Sequence, residues 1–178
     1  SHGRDVLLFE NEWSIRLATE KDNFDRRALV PCAPLDPDEA LAEVRELLAS
    51  MGDGDYRTLC ETMLERHLET FRSIPAAKSV HHAFLSGLLM HTLHMLRTAD
   101  FFAALYAGVI DRDLLLAGAF LHDLGKETEL GRSALGLVTE YTVPGRLLGH
   151  LYLGARETAA RAGEGGVPGG KCRLLQRV

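Results

Sequence analysis

The sequence predicts an all-α fold, and three observations carry that prediction. From Asp36 onward apolar residues recur at three- and four-residue spacing, helix-start signals precede those stretches, and Pro or Gly clusters separate them. The first helix opens at Asp36-Pro37-Asp38-Glu39, an N-cap followed by proline at the first helical position and acids that suit the helix dipole. Leu41, Val44, Leu48 and Met51 then line one face. A second helix begins after Asp55, carries Leu59, Met63, His67 and Phe71 at fourfold spacing, and ends near Pro75.

The third helix is expected from about His82 to Ala104, with Leu85, Leu88, Leu89, Thr92, Leu96 and Ala99 on one stripe. The fourth starts at Asp111 or Asp113 and runs through Leu114, Ala117, Gly118 and Leu121 to His122, stopping at Gly125 as the left-handed residue beyond a helix end. Leu137 to Tyr141 has weak strand character and precedes a fifth helix from about Pro144 to Arg161. Gly163 to Gly170 reads as a flexible connection, and Lys171 to Val178 as the opening of a sixth helix. Residues 1–34 differ: Val6 to Phe9 and Trp13 to Leu17 read as short extended segments, and the link Pro31 to Pro37 marks the boundary with a helical domain over 35–178. Two such strands make no stable sheet alone, so the segment either pads the helical domain or is the stub of another domain.

Composition narrows the function. With 178 residues, 46% hydrophobic and 25% charged, the chain suits one globular domain and a short appendage. A net charge of −5 argues against a broad basic surface for nucleic acid, although a local site with one or two cations remains open. Cys32, Cys60 and Cys172 form neither a disulfide framework nor a metal knuckle, which points to a reducing cytoplasm. The longest apolar run, Leu114 to Leu121, is far short of the roughly 20 residues that span a bilayer, so no membrane partner is expected.

The chemistry concentrates on His91, His122, Asp123 and His150. Consecutive helical side chains diverge by about 100°, so His122 and Asp123 are expected to share a metal only where the backbone leaves helical geometry. Gly87, Gly118 and Gly154 lie one turn from His91, His122 and His150, which suggests close helix approach or room for a ligand. Mixed imidazole and carboxylate ligation suits Mn, Fe or Co, with Zn also admissible, and such an ion would activate water toward a phosphate ester. Lys126, three residues after Asp123, is placed to reach the substrate phosphate. Lys126 and Arg146 are thus either phosphate contacts or ordinary solvated charges, and His81 and His82 are either substrate or supporting contacts or a polar helix start. His67 and His94 read as packing or surface residues. Gly165 to Lys171 fits G-x-x-x-x-G-K, but Cys172 stands where Ser or Thr should be and no buried strand precedes it, so a phosphate loop is rejected.

The run Leu121-His122-Asp123-Leu124-Gly125-Lys126, after an upstream His in an apolar helix, resembles the signature of HD-domain metal-dependent phosphohydrolases. Further words narrow the likeness: His81-His82-Ala83-Phe84-Leu85, Gly87 to Leu93, Asp113 to Ala119, Glu140-Tyr141-Thr142 and Gly145 to His150. Over about Leu35 to Arg161 the chain is similar to the YhaM-type 3′-to-5′ exoribonuclease family of bacteria. That resemblance implies an HD-domain helical bundle, an N-terminal OB-fold nucleic-acid-binding domain of which residues 1–34 would be a stub, Mn(II), and single-stranded RNA as substrate. It matches His91, His122, Asp123 and His150 to ligands, while the residues themselves put Asp123 and Lys126 at the chemistry and Lys126, Arg146 and His82 toward substrate. The family's pattern continues with a His-His pair and a later Asp, which the sequence to Val178 lacks, so the domain is expected to be truncated at its C-terminal end and weakly active alone. Two other readings stand beside this one: hydrolysis of nucleotides or small signalling nucleotides, and a helical binding module without catalysis. Homo-oligomer formation stays open.

Overall fold

The computed structural model describes residues 30–77, 84–132 and 137–177. Val6 to Phe9, Trp13 to Leu17, and the pair His81 and His82 lie outside the described residues. The architecture is helical, with one small two-stranded sheet.

Helix α1 (Pro37–Ala49) is capped as its sequence suggests, the Asp36 carboxylate accepting from the backbone N–H groups of Asp38 and Glu39. Helix α2 (Gly54–Ser73) begins slightly earlier than expected, because Asp53 rather than Asp55 is its cap. Helix α3 (Gly87–Leu105) begins later than the expected His82. The backbone of Leu85 is taken up by the linker, its N–H donating to Pro31 O at 3.0 Å and its O accepting from Ala33 N–H at 2.9 Å. Ser86 then sits at φ +62°, which no right-handed helix can pass through.

Helix α4 (Arg112–Leu121) is capped by Asp111, whose carboxylate accepts from Leu114 N–H. The left-handed stop expected at Gly125 is absent, since Gly125 lies at φ −59°, ψ −17°. Leu124 N–H bonds Leu121 O, Lys126 N–H bonds Asp123 O and Glu127 N–H bonds Leu124 O, a tight series that carries the chain directly into the short helix α5 (Lys126–Glu129). Packing is what demands glycine at 125: a Cβ there would lie 2.7 Å from Gly154 N, with the His150 carbonyl nearer still.

Strand β1 (Leu130–Arg132) pairs antiparallel with β2 (Val138–Tyr141), Leu130 opposite Tyr141. The second strand agrees with the expected Leu137 to Tyr141, while the first is too short to show any alternation. Helix α6 (Val143–Glu164) is interrupted at Gly149 (φ 71°, ψ 159°), immediately before His150. The stretch expected to be a flexible connection is organised: Gly166 N–H bonds Gly163 O, Val167 N–H bonds Ala162 O at 2.8 Å, and α7 (Gly169–Leu175) begins before Lys171. Lys171 Nζ lies 2.6 Å from Asp55 Oδ2 and also bonds Asp53, tying α7 to the start of α2. This agrees with rejecting a phosphate loop there.

The apolar faces of α1 to α4 meet in one core, where Val44, Leu48, Met63, Leu89, Leu96, Leu116 and Phe120 are fully enclosed. Phe71 of α2 and Phe120 of α4 pack edge to face with centroids 5.9 Å apart. This core fixes α3 against α4, and α5 packs against α6, so the two contacts bring the histidines of three helices to one place. No helix among the described residues is long and apolar enough to cross a membrane.

Candidate metal centre

His91 lies one turn inside α3, His122 is the residue that ends α4, and Asp123 comes next in the tight turn. Their donor atoms form a nearly equilateral triangle. His91 Nε2 to His122 Nε2, His91 Nε2 to Asp123 Oδ2 and His122 Nε2 to Asp123 Oδ2 are each 3.3 Å. His150 of α6 approaches the other oxygen of the same carboxylate, Nε2 to Oδ1 being 3.5 Å. Of the four residues read from the sequence, His91, His122 and Asp123 thus form one tight group, and His150 stands beside it at the other oxygen of Asp123. His122 and its neighbour converge where α4 ends, as expected: His122 keeps right-handed dihedrals (φ −56°, ψ −34°), but beyond it the α-helical bonding gives way to the tighter turn, Leu124 N–H reaching Leu121 O. The long imidazole arm and the short carboxylate arm of adjacent residues end at one point.

Asp123 is 3% exposed, and burial alone would push its carboxyl upward. Hydrogen bonds from His122, His91 and Lys126 outweigh that and hold it far below the ordinary carboxylate range, so it is an anion. For His122, burial disfavours the charged ring, but the hydrogen bond to Asp123 and its negative charge prevail and raise the ring above its usual value. The ring orientation is set from behind: His122 Nδ1 lies 2.9 Å from Ala119 O and donates to it, which leaves the Nε2 lone pair facing Asp123 in the neutral ring. Lone pairs of imidazole and carboxylate converging on one point demand a positive charge between them. A divalent cation fits that donor set of imidazole nitrogens and carboxylate oxygens.

The other expected contacts are placed differently. Lys126 Nζ turns onto Asp123 Oδ2 at 2.7 Å, at the edge of the centre. Arg146 is on the surface, paired with Glu140 at 3.5 Å. His82 lies outside the described residues, and His94 is exposed on α3. His67, read as a packing residue, instead joins Glu127 of α5 through Nδ1 and Glu157 of α6 through Nε2 at 2.9 Å. Glu129, not singled out in the sequence, is buried beside His150. No local sequence signal links an acid in a short helix to a histidine 21 positions later.

A helical bundle that gathers histidines around a His-Asp pair at the end of one helix is the arrangement of an HD domain, and the HD domain family profile matches residues 90–167. The HD domain thus falls on residues 90–167 of the helical body. Among curated proteins, the chain is 38% identical over 165 residues to a 3′-5′ exoribonuclease YhaM of Halalkalibacterium halodurans, covering 93% of this chain and 50% of the relative. Proteins of the same name from Listeria monocytogenes (35% identity, 92% of this chain, 51% of the relative) and Bacillus subtilis (34% identity, 99% of this chain, 54% of the relative) are similarly related. The chain spans about half the length of these relatives. No solved structure matches.

Proposed function

We propose that this chain supplies the catalytic centre of a metal-dependent phosphodiesterase that removes nucleotides from the 3′ end of single-stranded RNA. The convergence of His91 Nε2, His122 Nε2 and Asp123 Oδ2 at 3.3 Å carries the reading, with His150 as the fourth ligand. The names of the relatives support the RNA substrate. Mn(II) is the ion proposed, with Fe, Co and Zn as competitors for the same donors. When bound, a divalent cation supplies a water of lowered pKa and offsets charge on a phosphoryl oxygen.

The chain's own residues do the rest. Asp123, anionic and buried, anchors the cation, and the three imidazoles fix its position. Lys126, already at 2.7 Å from Asp123, is the cation that turns to a phosphate oxygen of the substrate, with Arg146 and His82 as further substrate contacts. With a net charge of −5, the chain holds its substrate through such local cations rather than a broad basic face. Cys32, Cys60 and Cys172, which form no disulfide among the described residues, fit a bacterial cytoplasm.

The test supplies the protein carrying this chain with a 3′-labelled single-stranded RNA and Mn(II), beside a panel of mononucleotides and cyclic nucleotides. Label release is expected, with a loss of at least about 100-fold in His122→Ala, since several kcal/mol of charge stabilisation disappear with the ion. Equal release by both proteins overturns the reading. Turnover of the small nucleotides alone, which the acidic charge would suit, moves the substrate while keeping the centre.

A further inference from the structure

We propose that Glu129 is a positioning residue that sets the tautomer and aim of His150, and through it the affinity of the centre for its cation, a role that rests on the metal-centre reading. The break in α6 makes this hold possible. Gly149, at φ 71° and ψ 159°, occupies a backbone region that is essentially closed to residues with a side chain. The break frees the His150 N–H from the helical ladder, and Glu129 Oε1 accepts it at 3.2 Å. The other oxygen of the same carboxylate, Oε2, lies 2.9 Å from His150 Nδ1. One buried side chain thus holds both the backbone and the ring of one histidine. Among the described residues one oxygen of Glu129 accepts from the His150 N–H and the other lies against the His150 ring nitrogen, too close for two facing lone pairs.

A carboxylate can only accept, so the neutral ring must carry its proton on Nδ1. The Nε2 lone pair then faces Asp123 Oδ1 and the cation position. Glu129 itself is held in place by its own backbone, since its carbonyl accepts from Thr142 N–H at 2.9 Å. The N-terminus of α6 lies so close that a Cβ on Gly145 would sit 2.9 Å from the Glu129 Cα. Burying a carboxylate without a formal cation partner is costly, which an apolar residue at this position would avoid. The acid is explained by what it does to His150.

Glu129→Gln is the discriminating variant, being nearly isosteric but carrying one acceptor and one donor end. If its oxygen keeps the His150 N–H, its amide donates to Nδ1 and forces the ring proton onto Nε2, which removes the ligand lone pair. Two readouts are taken: the His150 tautomer by long-range proton–nitrogen NMR of the metal-free protein, and Mn(II) affinity by counting free ion in electron paramagnetic resonance. The wild type is expected to show the Nδ1–H form, and Glu129→Gln to lose it and bind Mn(II) roughly 10- to 100-fold more weakly with an unchanged circular dichroism spectrum. An Nε2–H form in the wild type overturns the proposal, as does a variant with unaltered tautomer and affinity. An Nδ1–H wild type that loses this form in the variant but binds no Mn(II) in either protein sinks the metal-centre reading and leaves the hold on His150 standing. His122→Ala serves as the control, expected to lose Mn(II) while keeping the His150 tautomer.

Discussion

His67 joins three helices through one ring. It projects from α2 between Glu127 of α5 and Glu157 of α6, and both of its nitrogens face carboxylates. A neutral imidazole has a single N–H, so both bonds are made only by the charged ring. The hydrogen bond to Glu127 accordingly raises His67, against the burial that would lower it, with further charge from Glu157. Glu127 is half-buried, which would raise its carboxyl, but His67 and Thr70 hold it below its ordinary value, and Arg132 adds positive charge. Arg66, 3.6 Å from Glu157, adds a further positive charge to the group. The His67 contribution to stability is complete below its unfolded pKa of 6.5 and fades as pH rises through the raised folded value. That of Glu127 is complete above its unfolded 4.5 and fades as pH falls through the lowered folded value. His67→Gln should therefore cost most between pH 4.5 and 6.5, about 2 kcal/mol or roughly 4–8 °C in Tm, with the gap closing on both sides of that window. Thermal melts of both proteins across pH 3 to 9 would check this, and a pH-independent gap would assign His67 to packing alone. That histidine sits on the apolar stripe of α2, and its acids lie 60 and 90 positions away, so its role was invisible until the helices were assembled.

At the scale of elements, the site depends on how closely α5 and α6 approach. Gly125 and Gly154 face one another across that contact, a Cβ on Gly154 lying 3.3 Å from Gly125 N. Spacing alone had marked Gly154 as a place of close approach, and for this helix the packing agrees. Gly125 was legible as a required glycine but for the wrong reason, since a left-handed exit and a neighbour's backbone both exclude a side chain. The break at Gly149 left no clear signature, because one glycine in a helical stretch is tolerated at a cost of about 1 kcal/mol. Gly149→Ala should destabilise the protein by about 1–3 kcal/mol and misdirect His150. Tm would fall, and Mn(II) affinity would fall with it. An alanine variant with wild-type melting and binding would show that α6 can run through this position unbroken.

At the scale of the molecule, α1 to α4 form an apolar core, while the centre lies where that core meets α5 and α6. Charge at the centre is one-sided when Asp123 and the imidazoles face one another, so ligand binding should report on the whole fold. Mn(II) at about 100 times its dissociation constant should stabilise the native state by about 2.7 kcal/mol, or roughly 5–11 °C, a shift absent in His122→Ala. Differential scanning fluorimetry with and without the metal measures it directly. A wild-type protein whose melting ignores Mn(II), Fe, Co and Zn alike would remove the metal-centre reading.

What the sequence determined by itself was local and periodic. Asp36-Pro37-Asp38-Glu39 announces a helix because capping is settled within a few residues, and the stripes of α1 to α4 announce an all-α core because burial repeats with the helical period. The HD signature also drew attention to His91, His122, Asp123 and His150, which the fold brings near one another. Tertiary structure alone decided how they meet. The right-handed turn after α4, the late start of α3 behind Leu85, the break before His150 and the supporting acids Glu127, Glu129 and Glu157 all arise from contacts between residues far apart in the chain. Such contacts leave no periodicity to read, because each is fixed by the close packing of a neighbouring helix rather than by the residues beside it.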